Sequence, residues 1–523
     1  MLLPALLPLL SLRPAPAALP LTQRGRAARE AAFKSFRAAD LSEAPLLVEG
    51  ELPSWLRGTF IRNGPGLYEV GERRMRHWFD GYAMLTRVHF AGSERAPLLT
   101  SRFVETDAFA KARRGEMAYA EFMTPLAAPG SGLLGALRSL ASLLAGKPTD
   151  NACVNLVDHG GSILAMTETH TSWVRIDPIS LRTGERVSWS GADVGILGTA
   201  HPMSDPAGGG LINVATDISP PFFSGYHVFK LNDDAPWRRQ VIASIPSDDK
   251  AIPRWMHSFG VTHKTVVLIE QPAAYSLPGM LGLRDASHAS IQWLPERGTR
   301  VHVLDRKSGK VAVHVVQPAF FFFHVCNSFD YDDANGRGVC VDLCAFDDCE
   351  ILSALSLDRL TKEQLLQDLP NSRILRLRIP AGGSEELTMT PLDDTSVSGW
   401  FADLPSINPL MAGNSSYKYV YSIAASRPTA VSNLLVKSDV SGAGRHRSFG
   451  VPGMLPGEPL FVPRPGGTEE DDGVLLSWAT DPDGGSSLYI LSATNMCLMA
   501  RCKSPVTLPA GFHAKWLADE HRS

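Results

Sequence analysis

The sequence is poor in cysteine, with seven cysteines among 523 residues. Small disulfide-stabilised scaffolds are dense in cysteine, so this content excludes that class of protein. Cys340, Cys344 and Cys349 lie near one another in the chain, but no CxxC pair accompanies them. We therefore interpret them as reduced or core cysteines rather than zinc ligands.

Strong charge of one sign is also missing. The chain has 50 Lys and Arg against 54 Asp and Glu, for a formal net charge of −4. General nucleic-acid binders are usually strongly basic, so no nucleic-acid partner is expected. Beyond residue 40, no segment approaches the roughly 18 consecutive apolar residues of a transmembrane helix, and none is predicted.

Residues 1–40 differ in composition from the rest of the chain. An apolar run at 2–12 is followed by a basic tract that begins at Gln23 and has Glu30 as its only acid before Asp40. An apolar stretch followed by an arginine-rich, acid-poor segment resembles an organelle targeting leader. A disordered extension is the alternative interpretation. Residues 41–523 are predicted to form a single domain.

After Gly58 the chain consists of many short β-type runs separated by turn residues. The runs are rich in β-branched and aromatic residues, are mostly four to eight residues long, and are bounded by Gly, Pro, Asn and Asp. Few helical segments alternate with them, which favours a closed all-β architecture over a βαβ fold. A β-propeller suits a domain of this length, because radial repetition leaves no long exposed sheet edge.

Two segments have helical character. Asp358–Leu369 carries leucines on one face. Residues 130–146 are apolar nearly all round, with Arg138 as the only charge. We predict that this second segment contacts a membrane surface, where it would admit a hydrophobic substrate. A helix buried against the propeller is the alternative.

Four histidines far apart in sequence lie in mostly apolar or glycine-containing surroundings: His201, His257, His324 and His513. His324, for example, directly follows Phe320–Phe323, and burying a polar ring without partners costs roughly 1–3 kcal/mol. Each ring is therefore either hydrogen-bonded in the core or held to bind something. Neutral imidazoles suit iron, copper, nickel and zinc, and such ligands need carboxylates to orient them. Candidate carboxylates at the ends of strand-like runs are Glu168, Asp403 and Glu458.

Several motifs together resemble the carotenoid cleavage oxygenase family from about Leu41 to about Trp516. They are Gly58-Thr-Phe-Ile-Arg-Asn-Gly-Pro-Gly66, His77-Trp-Phe-Asp-Gly81, His257-Ser-Phe-Gly260 and Glu469-Glu-Asp-Asp-Gly473. The resemblance implies an all-β, seven-bladed β-propeller with Fe(II) on its axis and an apolar helical cap above it. It also implies that the iron ligands are His201, His257, His324 and His513.

The same resemblance assigns Glu168, Asp403 and Glu458 to orient His257, His324 and His513, respectively. The family usually has Glu where this chain has Asp403, which is shorter by one methylene. A hydrogen bond does not survive a stretch of over about 1 Å, so either the backbone shifts inward or a water bridges to His324. On that basis we expect Asp403→Glu to bind iron at least as well as the wild type. His77 is expected to have a structural role.

The activity implied by the resemblance is an Fe(II)-dependent dioxygenase that uses O2 to cleave one C=C bond of a carotenoid or apocarotenoid into carbonyl products. Two alternatives are an isomerohydrolase acting on a retinyl ester and a non-catalytic carotenoid-binding propeller. Trp255 and Phe320–Phe323 are candidates for the wall of a substrate tunnel, with propeller core as the alternative. If residues 1–40 contain a presequence, a plastid is the expected location; otherwise the protein is expected in the cytoplasm, peripherally attached to a membrane.

Overall fold

A computed structural model provides the three-dimensional structure of the chain. It describes residues 23, 25–38, 40–126, 134, 135, 137, 148–169, 172–195, 197–219, 223–247, 254–284, 290–334, 336–381, 386–392, 401–442 and 446–519. Most of the 1–40 leader and of the apolar 130–146 segment lies outside these residues. Of the second segment, only Leu134, Gly135 and Leu137 are described.

Seven sheets of four to six strands form the blades of a β-propeller, as the sequence predicted. We number the blades 1 to 7 in the order in which their strands occur along the chain after residue 50. The earlier strand Leu47–Gly50 belongs to blade 7. Blade 1 contains Leu41–Pro45, Arg57–Arg62, Pro65–Leu67, Tyr82–Ala91, Leu98–Phe103 and Ala514–Ala518; blade 2 contains Asn155–His159, Ser162–Met166, Val174–Ile176 and Thr183–Arg186; blade 3 contains Ser190–Gly191, Leu197–Gly198, Met203–Ser204, Leu211–Ser219, Phe223–Asn232 and Ala235–Pro246.

The remaining blades follow the same plan. Blade 4 contains Gly260–Val261, Thr265–Glu270, Thr299–Asp305 and Val311–Val316; blade 5 contains Phe321–Asp333, Gly336–Phe346, Ser372–Pro380 and Thr388–Pro391; blade 6 contains Ala402–Ser406, Tyr419–Ala424, Leu434–Asp439 and Arg447–Phe449; blade 7 contains Leu47–Gly50, Leu455–Pro456, Leu460–Pro463, Gly473–Thr480, Ser486–Ser492 and Leu498–Lys503. Two small hairpins, Glu69–Val70 with Arg73–Arg74 and Ala273–Tyr275 with Ile291–Trp293, lie outside the blades.

The ring is closed by strands exchanged between the two ends of the chain. Near the C-terminus, Ala514–Ala518 pairs antiparallel with Arg57–Arg62 in blade 1. Near the N-terminus, Leu47–Gly50 pairs with Leu498–Lys503 in blade 7. Because blades 1 and 7 each contain strands from both ends, opening the ring would break two strand ladders at once.

In blades 4, 5 and 6, the first strand in the sequence is more buried than the last. In blade 5, for example, Phe321–Asp333 begins with four buried residues, whereas Thr388–Pro391 at the other edge is mostly exposed. Phe321–Asp333 is the strand of blade 5 nearest the propeller axis. Phe320 and Phe322 face one apolar cluster between blades, while Phe321 and Phe323 face another, as strand alternation requires.

Among the residues that the structure describes, helices are few and short. The α-helices are Arg26–Ala32, Asp107–Ala112, Leu277–Met280, Glu350–Ala354 and Leu357–Thr361, and the 3₁₀ turns are Trp78–Asp80, Pro295–Arg297, Glu363–Leu365 and Pro409–Met411. The helix predicted over 358–369 is therefore too long. It ends at Thr361 because Lys362 is extended, with φ −91° and ψ 115°. Among the described helices, none combines the length and apolar character needed to cross a membrane.

Part of the 1–40 segment is folded onto the propeller. The helix Arg26–Ala32 buries Ala28 and Ala32, and Phe33 after it is also buried. The backbone N–H of Ala510 donates to the carbonyl of Ala32 at 2.9 Å. Residues from Arg26 onward therefore belong to the folded body of the protein.

Candidate metal centre

Four histidines meet at the propeller axis because each lies on, beside or within three residues of the innermost strand of its blade. His324 is within the first strand of blade 5, and His513 directly precedes Ala514–Ala518. His257 comes three residues before the first strand of blade 4. His201 lies in a gap between Leu197–Gly198 and Met203–Ser204, two short strands that pair with the same neighbour.

The Nε2 atoms of these rings converge. The distance is 3.1 Å from His201 to His257, 3.4 Å from His257 to His324, and 3.2 Å from His324 to His513. Ligand atoms of the first three histidines all lie within 4.8 Å of one another. Neighbouring nitrogens that each lie about 2.1 Å from one ion would be roughly 3 Å apart, so the spacing fits a shared cation.

Three carboxylates contact the outer nitrogens of three of these rings. Nδ1 of His257 lies 2.5 Å from Glu168 Oε1, and Nδ1 of His513 lies 2.8 Å from Glu458 Oε1. Nδ1 of His324 lies 2.7 Å from Asp403 Oδ1. Each carboxylate thus touches the histidine that was predicted for it from the sequence.

The donor chemistry of this arrangement suits a cation. A carboxylate at Nδ1 holds the ring proton there, so the Nε2 atoms of His257, His324 and His513 present lone pairs. Lone pairs that face one another within about 3.4 Å cannot satisfy each other by hydrogen bonding, whereas a metal ion accepts all of them. His201, His257 and His324 therefore fit a metal ion, and His513 lies beside them, with its Nε2 3.2 Å from that of His324.

Burial keeps two of the rings neutral. It lowers the pKa of His324 to about 4, with Asp403 opposing the shift. It also lowers the pKa of His201 well below the usual value, and the neighbouring His257 ring lowers it further. No carboxylate among the described residues contacts His201, so its ring lacks the support that the other three have. Neutral imidazole is the form that binds metals.

Asp403 reaches His324 directly, so no bridging water is needed. Both residues lie at irregular points of their strands. The pairing register of blade 5 shifts between Phe322 and Val325, around His324, and that of blade 6 shifts between Asp403 and Ser406. Leu404 has a left-handed backbone with φ 47°, rare for a residue with a branched side chain. Such bulges re-aim side chains, and here they bring a short carboxylate within hydrogen-bonding distance.

A largely apolar cavity adjoins the histidines. His257, His324 and His513 form part of its wall, together with apolar side chains that include Phe33, Trp78, Phe79, Phe323, Ile423 and Phe512. Of the predicted tunnel residues, only Phe323 lines this cavity. Strand alternation turns Phe320 and Phe322 away from the opening, into a different apolar cluster. Phe321 and Trp255 belong to the same apolar cluster as Phe323 but do not line the cavity.

Trp255 has a role that the sequence did not reveal. Its indole Nε1 donates to Glu168 Oε2 at 2.7 Å, while the other oxygen of the same carboxylate contacts His257. His77, in contrast, is structural as expected. It is fully buried, its Nε2 lies 2.8 Å from the carbonyl of Leu352, and its Nδ1 accepts from the backbone N–H of Phe79.

Comparisons with known proteins agree with this geometry. The family described as retinal pigment epithelial membrane protein (RPE65) matches residues 35–518. The chain is 35% identical to the carotenoid cleavage dioxygenase 8 homolog A, chloroplastic, of Oryza sativa subsp. japonica, over 91% of this chain and 85% of that protein. It is 30% identical to the mitochondrial carotenoid-cleaving dioxygenase of Macaca fascicularis, over 90% of this chain and 91% of that protein. The crystal structure of the cobalt-substituted apocarotenoid oxygenase of Synechocystis superposes with a TM-score of 0.77 at 26% identity, covering 94% of this chain and 99% of that chain.

Proposed function

This chain belongs to the carotenoid cleavage oxygenase family, and on that premise we propose that it is an Fe(II)-dependent dioxygenase that cleaves one C=C bond of a carotenoid or apocarotenoid. The observation that carries the proposal is the convergence of four imidazole Nε2 atoms beside an apolar cavity. His201, His257, His324 and His513 would hold the iron. Glu168, Asp403 and Glu458 would fix the orientation of three of these rings.

The chain's own residues prepare the site in three ways. Burial keeps His201 and His324 neutral, so each offers a lone pair without first losing a proton. The carboxylates contact the outer nitrogens of the imidazoles, so they would not touch the metal but would balance its charge from behind the rings. The aromatic wall of Phe79, Phe323 and Phe512 excludes water and positions a flat polyene beside the histidines. When bound, ferrous iron supplies the redox chemistry that adds both oxygen atoms of O2 across one double bond.

Incubation of the iron-loaded protein with a carotenoid under ¹⁸O2 tests the proposal. Carbonyl products that carry the label are expected. An unlabelled alcohol formed from a retinyl ester would instead indicate the isomerohydrolase alternative, and an unchanged polyene would indicate a binding protein. The relatives named above as carotenoid-cleaving dioxygenases favour cleavage over both.

We further propose that the protein attaches peripherally to a membrane through residues 130–146. Two described side chains of this segment support the idea, since Leu134 is 83% exposed and Leu137 is 54% exposed. Exposed leucines gain free energy by entering the acyl-chain region. Leu134→Ser combined with Leu137→Ser should reduce sedimentation with phosphatidylcholine vesicles at least fivefold, and unchanged sedimentation would contradict the assignment.

A plastid is the location that we propose, supported by the leader-like composition of the N-terminal residues and by the chloroplastic relative. A fluorescent protein fused behind residues 1–40 should accumulate in plastids. Diffuse cytoplasmic fluorescence would contradict this location. Because residues from Arg26 onward are folded, processing of the leader is expected before Arg26.

A further inference from the structure

Two polar residues, Glu270 and Gln271, are fully buried beside two of the segments that carry the histidines. Both have an exposed fraction of 0%, and Glu270 ends a strand of blade 4 whose preceding residues, 266–269, are all apolar. Neither residue lines the apolar cavity. Burying a carboxylate or an amide is costly unless its atoms are hydrogen-bonded, so the contacts of these two side chains indicate what they do.

Gln271 holds the backbone next to His324. Its side-chain carbonyl Oε1 accepts a hydrogen bond from the backbone N–H of Phe322 at 2.9 Å. The pairing register of blade 5 shifts between Phe322 and Val325, so this N–H lies at the start of the irregular stretch that contains His324. Nε2 of Gln271 has no partner in the part of the chain that the structure describes. The amide therefore serves blade 5 as an acceptor.

Glu270 acts on the segment that precedes His257, through the hydroxyl of Tyr226. This hydroxyl donates to Glu270 Oε1 at 3.0 Å and accepts from the backbone N–H of Arg254 at 3.2 Å. Burial by itself would raise the pKa of Glu270, but the contact with His302, whose Nε2 lies 2.8 Å from Oε2, helps to lower it below its usual value. An ionised carboxylate only accepts hydrogen bonds, which fixes the direction of the Tyr226 hydroxyl.

The backbone after Gln271 adds a second contact with the same segment. The carbonyl of Ala273 accepts from the backbone N–H of Trp255 at 2.8 Å. We call residues 270–273 the brace. The brace thus holds the chain at Trp255 and at Phe322, and each of these residues lies two positions before one of the four histidines.

We propose that the brace positions His257 and His324 relative to each other, so that Glu270 and Gln271 are positioning residues of the metal centre that act through the backbone. The Nε2 atoms of the two histidines lie 3.4 Å apart, although the histidines belong to different blades. A metal site tolerates deviations of only about 0.2 Å in its ligand distances, so the backbone that carries each ring must be held in place. The carboxylates at Nδ1 set how the rings turn, whereas the brace sets where their backbones lie. This inference rests on the metal centre of the proposed function.

Gln271→Met tests the contact with blade 5. The change keeps the length of the side chain and removes its carbonyl, so the backbone before His324 loses an acceptor. The affinity of the full-length, metal-free protein for Co(II) should fall about five- to twentyfold, somewhat less than after loss of a carboxylate that touches a ligand. The visible absorption bands of bound Co(II), which depend on ligand geometry, should also shift. Gln271→Glu keeps an acceptor at this position, so its Co(II) affinity should stay within about twofold of the wild type.

Asn151→Leu is the matched control for the loss of a buried amide. Asn151 is 1% exposed, and its Oδ1 accepts from the backbone N–H of Ala83 at 2.9 Å. Ala83 lies on Tyr82–Ala91, a strand that contains none of the four histidines. Both variants should be less stable than the wild type in urea, but only Gln271→Met should lose Co(II) affinity. Equal affinities and identical Co(II) spectra in these two variants would show that Gln271 supports the fold alone and would overturn its positioning role.

Tyr226→Phe tests the contact with the other ligand segment. It removes the hydroxyl that links Glu270 to the backbone of Arg254, so Co(II) affinity should fall about three- to tenfold and the Co(II) spectrum should shift. Tyr489→Phe is the control, because it removes a hydroxyl that donates to Asp481 at 2.7 Å in blade 7. The control should bind Co(II) like the wild type. Wild-type affinity and spectrum in Tyr226→Phe would contradict the role of Glu270.

These measurements need no turnover, so they separate the brace from the proposed reaction. If the wild type binds no Co(II), the metal centre is refuted, and both the proposed function and the brace fail with it. If the wild type binds Co(II) but cleaves no polyene, the proposed reaction is wrong, while the comparison of variants still decides on the brace. If Gln271→Met and Tyr226→Phe both bind Co(II) as tightly as the wild type, the brace alone is refuted.

Discussion

Trp255 and His257 share one carboxylate. The indole N–H of Trp255 donates to Glu168 Oε2 at 2.7 Å, and Nδ1 of His257 lies 2.5 Å from Oε1 of the same side chain. Both oxygens of Glu168 are thus committed to residues two positions apart in the chain. Trp255 is buried in the core and does not line the cavity, so it acts on the site by positioning Glu168.

Trp255→Phe should therefore weaken metal binding without touching a ligand. Loss of the indole donor frees Glu168 to rotate, and loss of such support typically costs about 10- to 100-fold in metal affinity. Titration of the metal-free protein with Fe(II) or Co(II) measures the change. Trp293→Phe is the matched control, because Trp293 packs on the same apolar cluster through Phe321. Equal affinities in the two variants would exclude the positioning role.

The expectation for Asp403→Glu changes once the structure is known. Asp403 is buried and already reaches His324 at 2.7 Å, so an added methylene would push against the ring that it supports. We expect Asp403→Glu to lower metal affinity about tenfold rather than maintain it. Asp403→Asn keeps the length of the side chain and removes its charge, so it separates the effect of length on metal affinity from the effect of charge. Wild-type affinity in Asp403→Glu would show that the backbone of blade 6 adapts freely.

His257→Ala should abolish cleavage by removing one of the four converging rings. Metal affinity should fall by more than about 100-fold, beyond the loss expected for a supporting residue. Metal content after dialysis and turnover of a carotenoid are the measurements. His314→Ala serves as the control, because His314 lies on the outer strand of blade 4. Full turnover by His257→Ala would remove His257 from the site.

Within the N-terminal segment, the residues from Arg26 onward should contribute to the stability of the fold. A protein that lacks residues 1–36 should have a lower free energy of unfolding than one that lacks residues 1–25, because Ala28, Ala32 and Phe33 are buried. Phe33 is buried and its ring lies 5.5 Å from that of Trp78, so Phe33→Ala should cost about 3 kcal/mol. Urea denaturation measures each change. The exposed neighbour Lys34, changed to Ala, should have no effect.

Asp80 should make stability depend on pH. Burial raises its pKa to about 7, although it accepts hydrogen bonds from Thr124 and the backbone of Met123. The folded state then holds a proton that the unfolded state has lost above about pH 4, so this residue's contribution to stability falls as pH rises from about 4 to 7 and is constant above that. Three pKa units correspond to about 4 kcal/mol.

Asp80→Asn should flatten this dependence. The free energy of unfolding of the variant and of the wild type is measured in urea at pH 5.5 and pH 8. Between the lower and the higher pH, the variant should gain stability relative to the wild type. The exposed Asp332, changed to Asn, provides the baseline. A difference that does not vary with pH would show that Asp80 is ionised throughout this range.

Much of the fold could be predicted from local signals. The short β-type runs predicted after Gly58 correspond to strands such as Ser162–Met166 and Thr265–Glu270, because β-branched residues between turn residues indicate strands directly. The helix near Asp358 was predicted too long, since leucine spacing does not show where tertiary contacts end a helix. The folded residues 26–36 were hidden by a leader-like composition, because their burial depends on partners hundreds of residues away.

The sequence by itself determined the fold class and the chemical groups of this protein. It indicated an all-β chain with four imidazoles in mostly apolar surroundings and three carboxylates at strand ends. It also indicated a net charge too small for a general nucleic-acid binder. Residue type carries that information, since ligand chemistry and strand propensity are local properties. Only the tertiary structure decided which groups touch. Asp403 reaches His324 through two strand irregularities, Trp255 supports Glu168, and Arg62 faces a cavity next to Trp478 and Thr480. These contacts join different blades, and their distances depend on how the closed ring arranges its innermost strands.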